Sequence, residues 1–265
     1  MTRTDLMQAT GAMIAALRTA DFPAALAQLL RCVAPYDYTV CFGYHGSARP
    51  SDLHDDLPAA KRKVFVEDYQ AGPYLLDPFY LAATRPVGAG LYRMRDLAPD
   101  RFYQGEYFRS YYVQTGLAEE IGYFVDLPDG SMIVLSLMRA ERAFSSRDLR
   151  ALTDVSPIVA ASLRQHWNDV ALRLDAGAGQ TPDHGPLTRI EASFQTFGDG
   201  VLTNRERQIV EHTLQGHSAA AVGQILSISP GTVRIHRRNI YAKLRINSQG
   251  ELFSKFIGTL GQIGE

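Results

Sequence analysis

The chain has 265 residues, a net charge of −1 and 46% hydrophobic residues, a balance that suits a globular protein of two domains. No apolar run approaches the roughly 18 residues of a membrane span, and Met1-Thr2-Arg3-Thr4-Asp5 leads into an amphipathic pattern rather than a signal-peptide core. Cys32 and Cys41, the two cysteines, offer neither a disulfide framework nor metal-ligand spacing, so a reduced cytoplasmic setting without cofactor or metal is expected. Leu6, Met13, Ile14 and Leu17 lie near helical spacing, and Asp21-Phe22-Pro23 breaks and restarts the helix before Leu26, Leu29, Leu30 and Val33. Tyr38 to Tyr44 is β-branched and aromatic, a strand, followed by a polar loop from His45 to Asp56. Helical stretches are expected from Pro58 to Gln70, from Asp77-Pro78 onward and from Pro99 to Thr115.

Two further strands, Glu119 to Leu127 and Ser131 to Met138, flank the turn Pro128-Asp129-Gly130, where glycine supplies the positive φ of a hairpin. Ser145-Ser146-Arg147-Asp148 caps a long helix expected to reach about Leu174. The order predicts an α+β domain over residues 1–174, an antiparallel sheet flanked by helices of the GAF/PAS type, serving as sensor and dimerisation domain. Residues 175–198 are read as a linker, from the composition of Asp175 to Pro186. Residues 199–265 form an all-α domain of four helices. After residue 200, eight basic residues stand against four acidic ones, giving +4 and leaving −5 on the rest, which assigns nucleic-acid contact to the C-terminal part.

That part carries the sharpest local signals. Thr203-Asn204-Arg205-Glu206 is a capping box opening a helix with Ile209, Val210, Thr213 and Leu214 on one face. Gly216 ends it, Ser218 caps a short helix from Ala219 to Leu226, and Ser227-Ile228-Ser229 leaves only a tight turn. Ser229 then caps a third helix with Pro230 at its first position. At about 100° per residue, Val233, Ile240 and Leu244 form an apolar stripe, while Arg234, Ile235 and Arg238 share the opposite face. Such a helix suits the major groove. Ser248-Gln249-Gly250-Glu251 is a further capping box before Leu252, Phe253 and Phe256.

Read together, Leu202-Thr203-Asn204-Arg205-Glu206-Arg207, Gly216-His217-Ser218, Thr232-Val233-Arg234-Ile235-His236 and Asn239-Ile240-Tyr241-Ala242-Lys243-Leu244 resemble the LuxR/FixJ-type C-terminal DNA-binding domain. The resemblance implies a four-helix helix-turn-helix domain. Its base-reading positions fall on Arg234, Ile235 and Arg238, and its phosphate-positioning ones on Ser229, Thr232 and Lys243. Ala219-Ala220-Ala221 and Gln249 depart from the family pattern, in which a lysine and an arginine stand near the DNA backbone.

Of 26 Phe, Tyr and Trp residues, only Tyr241, Phe253 and Phe256 follow residue 200. The concentration of tyrosine in the front part, Tyr44 and Tyr107 among them, suits a pocket that is apolar with polar ends, and equally an ordinary core. Phe65-Val66-Glu67-Asp68-Tyr69 followed by Tyr74-Leu75-Leu76-Asp77-Pro78 resembles the signature of the LuxR-type autoinducer-binding domain, as do Gly116-Leu117 and the hairpin. The resemblance implies that Tyr69 and Asp77 hydrogen-bond an effector. Phe65 stands where that family has a lactone-binding tryptophan, so an amine or amino-acid derivative that Asp77 could neutralise fits better than an acyl-homoserine lactone. Asp77 also suits the N-cap of the helix at Pro78.

The reading is a transcription regulator, not an enzyme, that binds a small effector and grips a pseudo-palindromic operator in double-stranded DNA as a homodimer. A sensor that reads a protein partner or serves only to dimerise is the alternative. A phosphorylated receiver would show paired acids after a first strand, whereas Asp55-Asp56 follow the polar loop. An enzyme with a regulatory tail would need a nucleotide loop, a nucleophile elbow or a metal cluster, and none is found.

Overall fold

The structure is a computed structural model and describes residues 3–45, 48–84, 87–168, 193–194 and 196–260. In chain order it contains α1 (Arg3–Ala15), α2 (Phe22–Val33), β1 (Tyr38–Tyr44), β2 (Ser51–Asp55) and α3 (Ala59–Arg62), which runs into a π turn at Lys63–Asp68. A 3₁₀ turn (Pro73–Leu76), α4 (Pro78–Thr84), β3 (Gly90–Arg93) and α5 (Met94–Leu97) follow. Next come a 3₁₀ turn (Phe102–Gln104), a π turn (Phe108–Tyr112), α6 (Val113–Thr115), β4 (Glu119–Asp126) and β5 (Met132–Arg139). The remaining helices are α7 (Ser146–Asp154), α8 (Ser156–His166), α9 (Asn204–Leu214), α10 (Ala219–Ile225), α11 (Pro230–Leu244) and α12 (Gln249–Leu260). Among the described residues no helix is long and apolar enough to cross a membrane.

Two compact units emerge, one made of residues 1–62, 82–97 and 117–183, the other of residues 63–81, 98–116 and 184–265. The first holds an antiparallel sheet of five strands in the order β2-β1-β5-β4-β3. Alternation places Ile121, Tyr123 and Val125 of β4 with Ile133, Leu135 and Leu137 of β5 on one face. There they pack with Met13, Phe22, Leu26, Leu30, Leu152, Val159, Leu163 and Trp167 from α1, α2, α7 and the α8 end. The opposite face, with Val40, Phe42, Tyr44, Phe124 and Val134, is equally withdrawn from solvent. Glu119, on β4, is held by Arg93 at 2.6 Å, by Arg95 at 2.6 Å and by the Phe144 N–H at 2.6 Å.

Several expectations need correction. The polar loop from His45 to Asp56 contains strand β2, an edge strand carrying Asp52, His54 and Asp55 instead of alternating apolar residues. Between Cys41/Phe42 and their partners His54 and Asp52, β2 holds the extra residue Leu53, a bulge that breaks the period of two. Strand β3, at the other edge, is only four residues long and half-buried, too short to leave a pattern. The Ser145–Asp148 capping box is present, but the helix it opens ends at Asp154, and α8 restarts beyond Val155 with proline in its first turn and ends at His166. Residues 169–174 fall outside the described residues. So does most of the expected linker, residues 175–198. Near its end, Phe194 is buried and stacks on Phe256 with centroids 4.5 Å apart.

Candidate functional site

In the second unit each helix of the C-terminal motif starts where its cap requires. The Thr203 hydroxyl accepts the Glu206 N–H, and the Glu206 carboxylate accepts the Thr203 N–H at 2.8 Å, closing the capping box. Thr203→Ala is expected to cost about 1 kcal/mol, measurable as a shift in the urea midpoint of the full chain. The Ser218 hydroxyl accepts the Ala221 N–H at 3.1 Å, and that of Ser229 accepts the Thr232 N–H at 3.0 Å. The turn between α10 and α11 passes so near Gly223 that a Cβ there would stand 2.7 Å from the Ile228 carbonyl oxygen. That approach, with Ser227 at φ +54°, sets the angle between the two helices.

The third helix, α11, buries Val233, Ile240 and Leu244, the stripe expected of it. Arg234, Ile235 and Arg238 are exposed on the other side, with Ile235 53% accessible. Ser229 and Thr232 stand together at the start of α11, their hydroxyls 2.8 Å apart. Lys243 lies at its far end, where its ammonium is 2.7 Å from the buried Glu206 carboxylate. Burial opposes ionisation of Glu206, but Lys243 and the donors of Thr203 outweigh it and hold the carboxyl below the usual range. Arg237 points inward, donating to the Thr213 hydroxyl at 3.1 Å and the His217 carbonyl at 3.2 Å. It braces the reading helix against α9, a role that the sequence pattern, seeing only a basic residue, does not distinguish from DNA contact.

The second candidate cluster occupies residues 63–81 and 98–116. The Tyr69 hydroxyl donates to Asp77 at 2.6 Å, and the other Asp77 oxygen accepts the Phe79 N–H at 2.9 Å. One carboxylate thus caps α4, as expected, while its hydrogen bond with Tyr69 is a contact not foreseen for the pair. Burial pushes the Asp77 carboxyl up to about 6, against the opposing pull of Tyr69 and Phe79. Tyr69 meets Tyr74 and Tyr111 with ring centroids 6.1 and 6.4 Å away, and Tyr107 lies 5.5 Å from Tyr111. Phe65 and Tyr107 are buried in the same unit; Tyr44, also buried, lies on β1 in the first unit. The backbone here is irregular, with π turns at Lys63–Asp68 and Phe108–Tyr112. Such turns gather at functional positions.

Comparison with known proteins accords with both halves. The family described as bacterial regulatory proteins, luxR family, matches residues 200–256. An HTH-type transcriptional regulator from the exeN 3′ region of Aeromonas salmonicida is 34% identical over 186 residues, covering 69% of this chain and 94% of that protein. The monoamine regulon transcriptional regulator of Klebsiella aerogenes is 23% identical over 248 residues, covering 92% of this chain and 95% of that one. The crystal structure of the VqsR LBD domain from Pseudomonas aeruginosa is similar with a TM-score of 0.52 and 26% identity, covering 61% of this chain and 95% of that domain. The resemblance of the front part to autoinducer-binding domains therefore holds at the level of the fold. A GerE-type DNA-reading domain behind a ligand-binding-type α+β domain is what these findings describe, and the chain belongs to the LuxR family of transcriptional regulators.

Proposed function

We propose that this regulator binds a small cationic effector, an amine or amino-acid derivative, at the Tyr69–Asp77 pair, and that binding controls how a dimer engages a pseudo-palindromic operator. The observation that carries the reading is a carboxyl group buried among aromatic rings with its ionisation pushed up to about 6. A buried carboxylate with spare lone pairs gains from an ammonium partner that neutralises it. Phe65 stands in place of the family's tryptophan, which weakens the case for a lactone. Similarity along nearly the whole chain to a regulator named for a monoamine regulon supports the amine class. Arg234, Ile235 and Arg238 are assigned to base edges, and Ser229, Thr232 and Lys243 to phosphates. Two copies would place two such helices one turn of DNA apart.

Thermal denaturation of the purified chain against amines, amino-acid derivatives and acyl-homoserine lactones tests the effector assignment. An amine at 100 times its Kd is expected to add about 2.7 kcal/mol. Stabilisation by a lactone alone would replace the amine assignment. No stabilisation by any of them, with DNA binding intact, would favour a front domain that reads a protein partner or only dimerises.

A further inference from the structure

On the side of the sheet covered by α1, α2 and α8, a cavity of about 490 Å³ opens between the α1–α2 loop and the end of α8. Its size is that of a small-molecule site. Its lining includes Arg18, Thr19 and Pro23, Leu53 of β2, and His166 and Trp167 at the α8 end. Arg18 stands at φ +63°, a conformation that residues other than glycine rarely adopt, and its N–H donates to His166 Nδ1 at 3.0 Å. His166 stacks on Phe22 with ring centroids 4.2 Å apart, and Trp167 meets both rings edge-on. The loop is thereby fixed to the helix end while the Arg18 side chain stays exposed. The Thr19 hydroxyl is committed to the loop itself, donating to the Ala16 carbonyl at 2.8 Å and accepting the Asp21 N–H at 3.3 Å.

Two donors on this lining lack a partner among the described residues. The Arg18 guanidinium makes no ion pair there, and among the described residues no carboxylate lines the cavity. The indole N–H of Trp167, a residue only 4% exposed, donates to none of the described residues. A buried tryptophan ordinarily finds an acceptor for its N–H. Here the cavity is the space left for one.

We propose that this cavity binds a small organic carboxylate, held by the Arg18 guanidinium and the Trp167 N–H, with its apolar body against Leu53, Pro23 and the indole ring. A guanidinium fork matches the two oxygens of a carboxylate, and a charge-assisted pair of this kind is stronger than a neutral one. Arg18 repels a cation, so this site and the Tyr69–Asp77 pair, which belongs to the other unit, select ligands of opposite charge. The bound molecule clamps the α1–α2 loop to the end of α8. The assignment does not depend on the effector reading above.

Trp167 is the single tryptophan of the chain, so its fluorescence reports from the cavity wall. The test titrates the full-length protein with butyrate, hexanoate and benzoate, with their neutral amides, and with inorganic phosphate. At least one carboxylate is expected to change Trp167 emission saturably, and its amide to bind about tenfold more weakly, as when a charged hydrogen-bond partner becomes neutral. Arg18→Gln, at an exposed position, should weaken the carboxylate about tenfold. Arg150→Gln, the same change of charge at an exposed position on α7, should bind it as the wild type does. Equal response to carboxylate and amide, binding of phosphate alone, or equal weakening in both variants would overturn the proposal. So would the absence of a saturable change with all three carboxylates.

Discussion

Arg234→Ala/Arg238→Ala is expected to abolish selective operator binding while leaving the fold intact. Each arginine that pairs with a base edge contributes roughly 1–3 kcal/mol, so losing both costs about 2–6 kcal/mol per half-site. Both side chains are exposed, and the stripe of Val233, Ile240 and Leu244 that anchors α11 is untouched. Melting temperature should therefore hardly move. The measurement is fluorescence anisotropy against an operator selected in vitro with the full-length protein, and against variants at single base pairs. Wild type should discriminate among them and the double variant should not. Undiminished discrimination would place the reading face elsewhere. Lys243→Ala makes an instructive contrast, because it also strips the buried Glu206 carboxylate of its cation. Its effect should show in stability as well as in sequence-independent affinity.

Asp77→Asn is expected to erase the stabilisation by an amine effector, about 2.7 kcal/mol at 100 times the Kd. The asparagine carbonyl can still accept one of the two hydrogen bonds, from Tyr69 or Phe79, so the local turn should survive. The pH dependence follows from the direction of the shift. In the folded chain the Asp77 carboxyl titrates near 6, against an ordinary value of 3.8, so the folded state holds its proton more tightly than the unfolded one. Stability from this group is greatest below pH 4 and declines as pH rises toward 6, by roughly 3 kcal/mol for a shift of about two units. Asp77→Asn removes that slope. An ammonium effector needs the ionised carboxylate, so its affinity should rise with pH and level off above about 6, weakening up to about tenfold per unit below. Urea titrations of both proteins from pH 4 to 8, with and without amine, would check both slopes. A wild type with affinity flat across this range would separate the effector from Asp77.

Much of this architecture was legible where local chemistry decides it. Tyr38–Tyr44 alternates between two buried faces, so β1 could be read to the residue, and the Pro128-Asp129-Gly130 turn fixed the β4–β5 hairpin. The caps at Thr203, Ser218 and Ser229 form between residues three apart and needed no tertiary knowledge. Tyr69 and Asp77 were singled out by resemblance alone, and their direct hydrogen bond across one bend was not foreseen. What stayed hidden depends on partners distant in sequence. Strand β2 owes its pairing to the backbone of β1, while Asp52 and Asp55 spend their charge on Arg62. The inward turn of Arg237 and the pairing of Lys243 with Glu206 need α9 packed beside α11.

The π turn at Lys63–Asp68 sets the rotational phase of the helix that leads into Tyr69. A π turn takes up more residues than an α turn, so deleting one residue from this stretch is the change that would return it to α-helical spacing. The deletion would nonetheless swing everything downstream by about 100° relative to everything upstream. Near its start lies Val64, whose carbonyl accepts the Tyr111 hydroxyl; just beyond its end lies Tyr69 with its carboxylate partner. The wider turn works as a spacer in angle rather than in length, allowing Val64 to face Tyr111 while Tyr69 faces Asp77. A relative lacking one residue in this stretch would keep its helix and lose that alignment, so the residue count between Lys63 and Asp68 is itself part of the specification of the site.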